Sequence, residues 1–294
     1  MGAATGWLLF AGLVLMVGAS AARWLVIPRA FGPGDDRDRV IASAARMGLA
    51  GALLLPVAMA LVFHRQLAEF RDPFATLGED ASLLLRATEW GSTFVMAAGV
   101  SLAAVAVWIF IARARAWGWL VAPPLAIGLS AYPALSGHAS GTGDLTGITI
   151  PADTAHVLAA GVWVGGLAFV LYADRRSRQA LGASDLPRLV SAYSPVAVGS
   201  VGVLLLTGVV GSWAQLEGLA ALTTTPYGRI LLGKLALVAA VMGLGLRNWK
   251  RLTPVLGTSE GPAALRRSAT IELALAQLVL LVTAVLVRTS PLGH

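Results

Sequence analysis

Histidines are the residues of this sequence best suited to bind a metal ion, and two of the four flank one short segment. His138 follows Ser136-Gly137, and His156 follows Asp153 by three positions. Imidazole is the commonest side-chain metal ligand, and it suits copper, zinc and iron. The two histidines therefore predict a metal or haem site where their segments meet.

Asp153 and His156 are spaced to share one face of a helix. In the functional interpretation His156 binds the metal, and Asp153 is a second ligand or orients the imidazole ring. In the alternative, Asp153 caps the N-terminus of a membrane helix and His156 lies at the membrane interface. His64 is a further candidate ligand, whereas His294, the last residue, is expected to belong to a frayed terminus.

Methionines and ionisable residues inside apolar segments are candidates for an ion pathway. Thioether sulfur is a good Cu(I) ligand, and charges inside a membrane are costly unless they serve a function or are paired. The alternatives are packing for the methionines and ion pairing for the charges; Glu272 is expected within reach of Arg46 or Arg247. The candidate pathway residues are Met59, Met96, Glu89, Lys234 and Glu272.

Composition indicates that these residues belong to a membrane protein. Apolar residues form 57% of the 294 positions, charged residues form 13%, and the mean hydropathy is +0.76. No soluble globular domain is this apolar. A membrane span needs about 20 mainly apolar residues. The stretches that qualify are approximately 6–27, 41–63, 83–112, 118–136, 154–173, 192–212, 229–249 and 267–288.

The sequence thus predicts an all-α, polytopic membrane helix bundle with eight transmembrane helices. Most loop Lys and Arg residues follow the first, third, fifth and seventh spans, and the opposite loops hold few. Positively charged loops face the cytoplasm, so we expect both termini outside the cell (N-out/C-out). The pI of about 10.7 then reflects anchoring to anionic membrane lipid, and no nucleic-acid partner is needed.

Several chemistries receive no support from the sequence. It contains no cysteine, which excludes thiolate metal sites and disulfides. It has no Gly-rich phosphate loop, Gly-x-Ser-x-Gly elbow or His-Glu-x-x-His motif, so ATP-driven pumping and these forms of catalysis are not indicated. The first interpretation is therefore a protein without catalytic residues that binds a metal ion.

A series of short motifs resembles the copper resistance protein D (CopD) family. They extend over about 136–288, with the core family domain at about 188–287, whereas 1–135 fits only in the number and hydropathy of its spans. We therefore divide the chain into N-terminal membrane helices, 1–135, and a CopD-like membrane region, 136–294. The motifs are Ser136-Gly137-His138-Ala139, Asp153-x-x-His156, Trp163-x-Gly165-Gly166-Leu167, Thr207-Gly208, Pro226-Tyr227-Gly228-Arg229-x-Leu231-Leu232-x-Lys234, Asn248, Arg266-Arg267-Ser268 and Glu272.

The resemblance implies a multi-pass protein of the bacterial inner membrane that carries copper from the periplasm to the cytoplasm in copper homeostasis or resistance. It also implies a separate periplasmic copper-binding partner of the CopC type. On this interpretation His138 and His156 capture the ion at the periplasmic face, with Asp153 and His64 assisting.

Two alternatives stay open. The pattern from His156 to Trp163, Gly165 and Gly166 also resembles a helix of a membrane protoporphyrinogen oxidase family whose histidine binds haem. That resemblance implies a haem-dependent redox enzyme with His156 as axial ligand and Lys234 or another histidine nearby. The second alternative is a membrane protein that docks the periplasmic copper chaperone without moving an ion. For the paired glycines, close helix packing is the favoured interpretation.

Overall fold

A computed structural model of the chain describes residues 2–137, 143–216, 218–258 and 260–289. These residues contain helices and no strand, and eight of the helices are long and apolar enough to cross a membrane. The predicted all-α bundle of eight spans is confirmed. The helices are α1 (Gly2–Ala30), α2 (Asp35–Phe70), α3 (Leu77–Ala87), α4 (Glu89–Ala112), α5 (Gly118–Ser136), α6 (Gly143–Leu181), α7 (Leu186–Gln215), α8 (Pro226–Leu252) and α9 (Gly261–Leu286).

The predicted third span, 83–112, is two helices rather than one. The backbone of Thr88 is extended, and its hydroxyl accepts a hydrogen bond from the Gly91 amide at 2.9 Å, which caps the start of α4. Helix α3 begins with a capping box in which Thr76 and Glu79 exchange hydrogen bonds. The connection between the second and third spans therefore carries a separate short helix, and α4 alone crosses the membrane.

Helix α1 is the centre of the bundle. Its most apolar window is 72% buried, against 11% for α8, and it packs on α2, α5, α6 and α9. Glycines permit the closest of these contacts: a Cβ atom at Gly18 would lie 2.5 Å from the Cα of Gly165 in α6. Small residues let membrane helices approach backbone to backbone, and this packing fixes α6 against the centre.

The start of α6 differs from the sequence prediction. The fifth span was expected to begin near residue 154 after a flexible loop, with Asp153 as N-cap, but α6 begins at Gly143 and Asp153 lies inside it. The N-cap assignment is therefore wrong. The hydroxyls of Thr149 and Thr154 bond to carbonyls one turn back, and the segment packs on α5 and α7. Tertiary packing here outweighs the weak helix propensity of Gly, Thr and Pro.

Three helices contain a π-helical turn: 22–26 in α1, 161–165 in α6 and 248–252 in α8. A π turn inserts one residue into an α-helix and offsets the hydrogen-bond ladder, and such turns occur frequently at functional sites. The turns in α6 and α8 contain Trp163 and Asn248, two of the motif residues.

The last four spans enclose a cleft. Helix α7 packs on α6 and α8 packs on α9, but α7 and α8 are not packed neighbours within the described residues. We call the space between the α6–α7 pair and the α8–α9 pair the α7–α8 cleft. We also call the end of the bundle where Gly2 meets Arg288 the N-terminal end. Most motif residues of the C-terminal half line this cleft at two depths.

Candidate metal and ion site in the α7–α8 cleft

His156 projects from α6 toward α7, where its Nδ1 lies 2.9 Å from the Thr207 hydroxyl oxygen. That hydroxyl donates to the Val203 carbonyl at 2.7 Å, so its own proton is already engaged. It therefore accepts the hydrogen bond from Nδ1–H of the imidazole. The tautomer assigned in this way leaves the Nε2 lone pair free, and this is the atom with which a neutral histidine binds a metal ion.

The neighbouring glycine gives the imidazole ring its space. A Cβ atom at Gly208 would lie 3.7 Å from Cε1 of His156, so the α7 backbone runs directly beside the ring. Thr207 thus accepts a hydrogen bond from His156, and Gly208 leaves room for the imidazole ring beside the α7 backbone.

Charged residues surround His156 on the other side. Lys234 of α8 interacts electrostatically with Asp153 and with His156, although no ion pair shorter than 4.0 Å joins it to either among the described residues. Tyr227, at the start of α8, also interacts electrostatically with Asp153. Its hydroxyl donates a hydrogen bond to the side-chain carbonyl of Gln215. We name these residues the histidine cluster: Asp153, His156, Thr207, Tyr227 and Lys234.

The histidine cluster lies inside the bundle rather than at its rim. Thr207 precedes the end of α7 at Gln215 by eight residues, and Lys234 follows the start of α8 at Pro226 by eight, which is about 12 Å along each helix. The sequence placed His156 in the first turn of its span. The earlier start of α6 explains the greater depth.

The other predicted ligands are placed differently. His138 lies outside the described residues, as does His294, so the pairing of His138 with His156 stays a prediction. His64 is exposed near the end of α2 and is not brought into the histidine cluster. Among the described residues, no group of three or more His, Asp and Glu side chains could hold a metal ion.

The candidate pathway residues of the first half of the bundle also stand apart. Met59 is 2% exposed in α2, whereas Met96 is 58% exposed on α4 and Glu89 is exposed at the start of that helix. The buried thioether packs within the core cluster. Of the five pathway candidates, only Lys234 and Glu272 lie along the α7–α8 cleft.

A second polar cluster lies deeper in the same cleft. The Asn248 side-chain amide donates to Oε2 of Glu272 at 2.9 Å, and the Ser268 hydroxyl donates to Oδ1 of Asn248 at 2.5 Å. We name these three residues the carboxylate cluster. Neither Arg46 nor Arg247, which the sequence places within reach of Glu272, forms an ion pair with it. Neutral donors take that place.

A cavity of about 450 Å³ adjoins the carboxylate cluster. Its wall is mainly apolar and comes from α6, α7, α8 and α9, with Trp163, Tyr193, Asn248 and Glu272 among its polar or aromatic residues. The Tyr193 hydroxyl donates to the Trp163 carbonyl at 2.6 Å, within the π turn of α6. The Trp163 carbonyl in the π turn is thus free to accept a hydrogen bond from Tyr193, which links α6 to α7 beside the cavity.

The remaining motif residues have packing roles. A Cβ atom at Gly165 would lie 2.0 Å from the Val14 carbonyl oxygen, and one at Gly166 would lie 2.6 Å from the Tyr193 ring. A Cβ atom at Gly228 would lie 2.1 Å from the Ala221 carbonyl oxygen, so the start of α8 packs tightly on the short helix Ala221–Thr224. These three glycines hold the helices that carry the polar clusters.

Comparisons with known proteins agree with the motifs. Residues 187–286 match the family described as copper resistance protein D (CopD). The copper transport protein CutJ of Bacillus subtilis (strain 168) is 32% identical over 135 residues, which is 45% of this chain and 25% of that protein. The matched segment thus covers only about a quarter of that protein's length.

No solved structure matches the chain. The family match covers α7, α8 and α9, which contribute Thr207, Lys234, Asn248 and Glu272 to the two polar clusters. The chain is a multi-pass membrane protein whose region 187–286 is similar to the copper resistance protein D family.

Proposed function

We propose that this protein transports copper across the inner membrane, and that His156 is the central ligand of its binding site in the α7–α8 cleft. The observation that carries the proposal is the hydrogen bond from His156 to Thr207, which orients the imidazole and leaves Nε2 free. The family match and the similarity to a copper transport protein favour copper as the cargo.

Asp153 and Lys234 interact electrostatically across the cleft, and the ammonium group of Lys234 offsets the charge of the Asp153 carboxylate. A copper ion at Nε2 of His156 attracts the carboxylate and repels the ammonium. A bound copper ion therefore replaces the Lys234 ammonium group as the cation that balances Asp153. We propose Asp153 as the second ligand. His138 is the proposed third.

The direction of transport is proposed from charge distribution. Most loop arginines and lysines lie at the end of the bundle opposite to the N-terminal end, which the positive-inside rule assigns to the cytoplasm. The histidine cluster then lies nearer to the periplasm. This arrangement supports uptake from periplasm to cytoplasm, with a separate periplasmic copper-binding protein of the CopC type as donor.

The test is copper binding and copper uptake by the purified chain in proteoliposomes. We expect His156→Ala to abolish copper uptake and to weaken copper binding, because it removes the oriented ligand. Ser200→Ala is the matched control, since among the described residues Ser200 bonds to Val196 of its own helix α7 and to no other helix. Unchanged uptake by His156→Ala would refute the site.

The same preparation tests the haem alternative. An absorption spectrum of the purified protein with a haem Soret band, lost in His156→Ala, would assign His156 to haem instead of copper. If the protein binds the periplasmic copper-binding protein but moves no copper into proteoliposomes, it serves as a docking protein and does not transport copper.

A further inference from the structure

Glu272 is a buried acid without a cationic partner. Its side chain is 5% exposed, it lies well inside α9, and no Lys, Arg or His of the described residues forms an ion pair with it. Asn248, which donates a hydrogen bond to Glu272, and Ser268, which donates one to Asn248, are both neutral. An isolated carboxylate in such surroundings is strongly unfavourable, so a bound cation must compensate its charge.

We propose that the Glu272 carboxyl is a proton-binding site, and that copper entering the α7–α8 cleft releases its proton. The coupling half of this inference rests on the proposed copper transport, whereas the proton site itself does not. The exchange is balanced in charge for a monovalent ion: one Cu⁺ enters the cleft and one proton leaves the Glu272 carboxyl.

The geometry favours a proton over a metal ion as the ligand. Asn248 presents its amide N–H to Glu272, and its carbonyl oxygen accepts from Ser268, so the group that contacts the carboxylate is a donor and not a metal ligand. The Tyr193 hydroxyl is engaged with the Trp163 carbonyl. Hard cations take about six oxygen ligands, and copper prefers nitrogen or sulfur. A proton needs only one carboxylate oxygen.

The free oxygen has access to the cavity. The hydrogen bond from Asn248 occupies Oε2, whereas Oε1 lies beside Gly245, where an added Cβ atom would be 3.3 Å away. Gly245 and Glu272 both line the cavity of about 450 Å³. The absence of a side chain at residue 245 thus keeps Oε1 in contact with the cleft.

The groups that face Glu272 are compatible with a neutral acid. Helix α7 contributes Tyr193, a phenol that interacts electrostatically with Glu272, and α6 contributes the uncharged Trp163. From α8 comes the Asn248 amide, and on α9 itself Arg266 points to Asp174 at 3.5 Å. No basic group of these elements therefore compensates the carboxylate.

The carboxylate cluster and the histidine cluster share one low-dielectric space. His156 and Trp163 are seven residues apart on α6, about 10 Å along the helix, and Trp163 lines the cavity that reaches Glu272. Two positive charges added to one apolar space repel each other. Occupation by copper and protonation of Glu272 therefore oppose each other.

The proton site is tested without copper by infrared difference spectroscopy of the full chain in lipid bilayers. We expect a carbonyl stretching band of a protonated carboxylic acid that is present in the wild type and lost in Glu272→Gln. Glu260→Gln is the control, because Glu260 is exposed outside the spans. If Glu272→Gln leaves the band unchanged, the proton site is refuted.

The coupling is tested by proton release in weakly buffered solution when copper is added. We expect wild type and Glu272→Asp to release protons, and Glu272→Gln, which mimics the protonated acid, to bind copper more weakly and to release one proton fewer per bound ion. Equal proton release by Glu272→Gln overturns the coupling. Loss of copper binding in this variant makes Glu272 a copper ligand and also overturns it.

The two proposals fail in distinguishable ways. If the wild type binds no copper, the proposed function fails, while the infrared band still decides whether Glu272 holds a proton. If Glu272→Gln does not purify as a folded monodisperse protein, Glu272→Asp and Asn248→Leu take its place: the band must persist in the first and shift in frequency in the second, because the amide donor is lost.

Discussion

Thr207 shows at the residue scale how one hydroxyl orients an imidazole ring. It uses its proton for its own helix and its lone pair for His156, so a single side chain fixes both the tautomer and the direction of the imidazole. The contact joins residues 51 positions apart, on two different helices. Sequence reasoning noted Thr207-Gly208 as a motif but had no physical means of pairing it with His156.

Replacing Thr207 by valine removes the acceptor and keeps the shape. We expect Thr207→Val to weaken copper binding by about 10- to 100-fold, because the outer-shell partner of a metal-binding histidine is lost. Isothermal titration of the purified protein with copper measures the change. Thr283→Val is the control, since Thr283 makes the same kind of bond to its own helix away from the site. Equal affinities of the two variants would contradict the orienting role.

Lys234 is expected to oppose copper binding. Removal of its charge in Lys234→Gln should tighten binding by roughly tenfold, because the ammonium group that acts on His156 also repels a copper ion bound there. Lys250→Gln is the matched control in the same titration, because Lys250 lies in the π turn at the opposite end of α8. Weaker binding by Lys234→Gln would show that the ammonium group supports the site.

At the scale of elements, the hydropathy of the chain was sufficient to locate eight spans but not to place their ends. The Gly- and Thr-rich stretch before residue 154 was expected to be a loop, yet packing on α5 and α7 makes it helical and moves Asp153 from a cap into the cleft. Similarly, the extended backbone at Thr88 divides one apolar stretch into α3 and α4. The start of α6 depends on tertiary contacts and the division of α3 from α4 on a local cap, and hydropathy contains no information on either.

The packing of α1 on α6 supplies a prediction of stability. Gly165→Ala places a Cβ atom 2.0 Å from the Val14 carbonyl oxygen, so the helices must move apart. We expect a loss of about 1–3 kcal/mol in the free energy of unfolding. Thermal unfolding in detergent, followed by tryptophan fluorescence, measures it.

Gly233→Ala is the matched control for that experiment. Nothing lies within 4 Å of a Cβ atom at Gly233 on α8, so this variant should keep or slightly raise the unfolding temperature. If both alanine variants unfold alike, the close approach of α1 and α6 does not contribute to stability.

The whole molecule combines a tightly packed centre with a loosely held flank. Helix α1 is surrounded by other spans, whereas α7 and α8 expose much of their apolar surface. The sequence shows the motif residues of the C-terminal half one by one, yet their alignment along one cleft follows from the order in which the helices pack. That order depends on contacts between distant residues and is not encoded in local periodicity.

The orientation of the whole bundle is open to a direct test, because the chain contains no cysteine. Phe74→Cys, 97% exposed between α2 and α3, should react with a membrane-impermeant thiol reagent added to intact spheroplasts. Ala116→Cys, exposed between α4 and α5, should react only after permeabilisation. The reverse pattern would place the histidine cluster nearer to the cytoplasm and contradict the proposed direction of uptake.

The slight burial of α8 makes the surrounding bilayer part of the site. This helix contacts mainly α9, so hydrocarbon chains solvate most of its surface and border the opening toward α7. Acyl chains of different length or saturation fill that opening differently, so the packing of α8 depends on membrane fluidity. Growth temperature and fatty-acid composition would tune this protein through α8 without any change in its sequence.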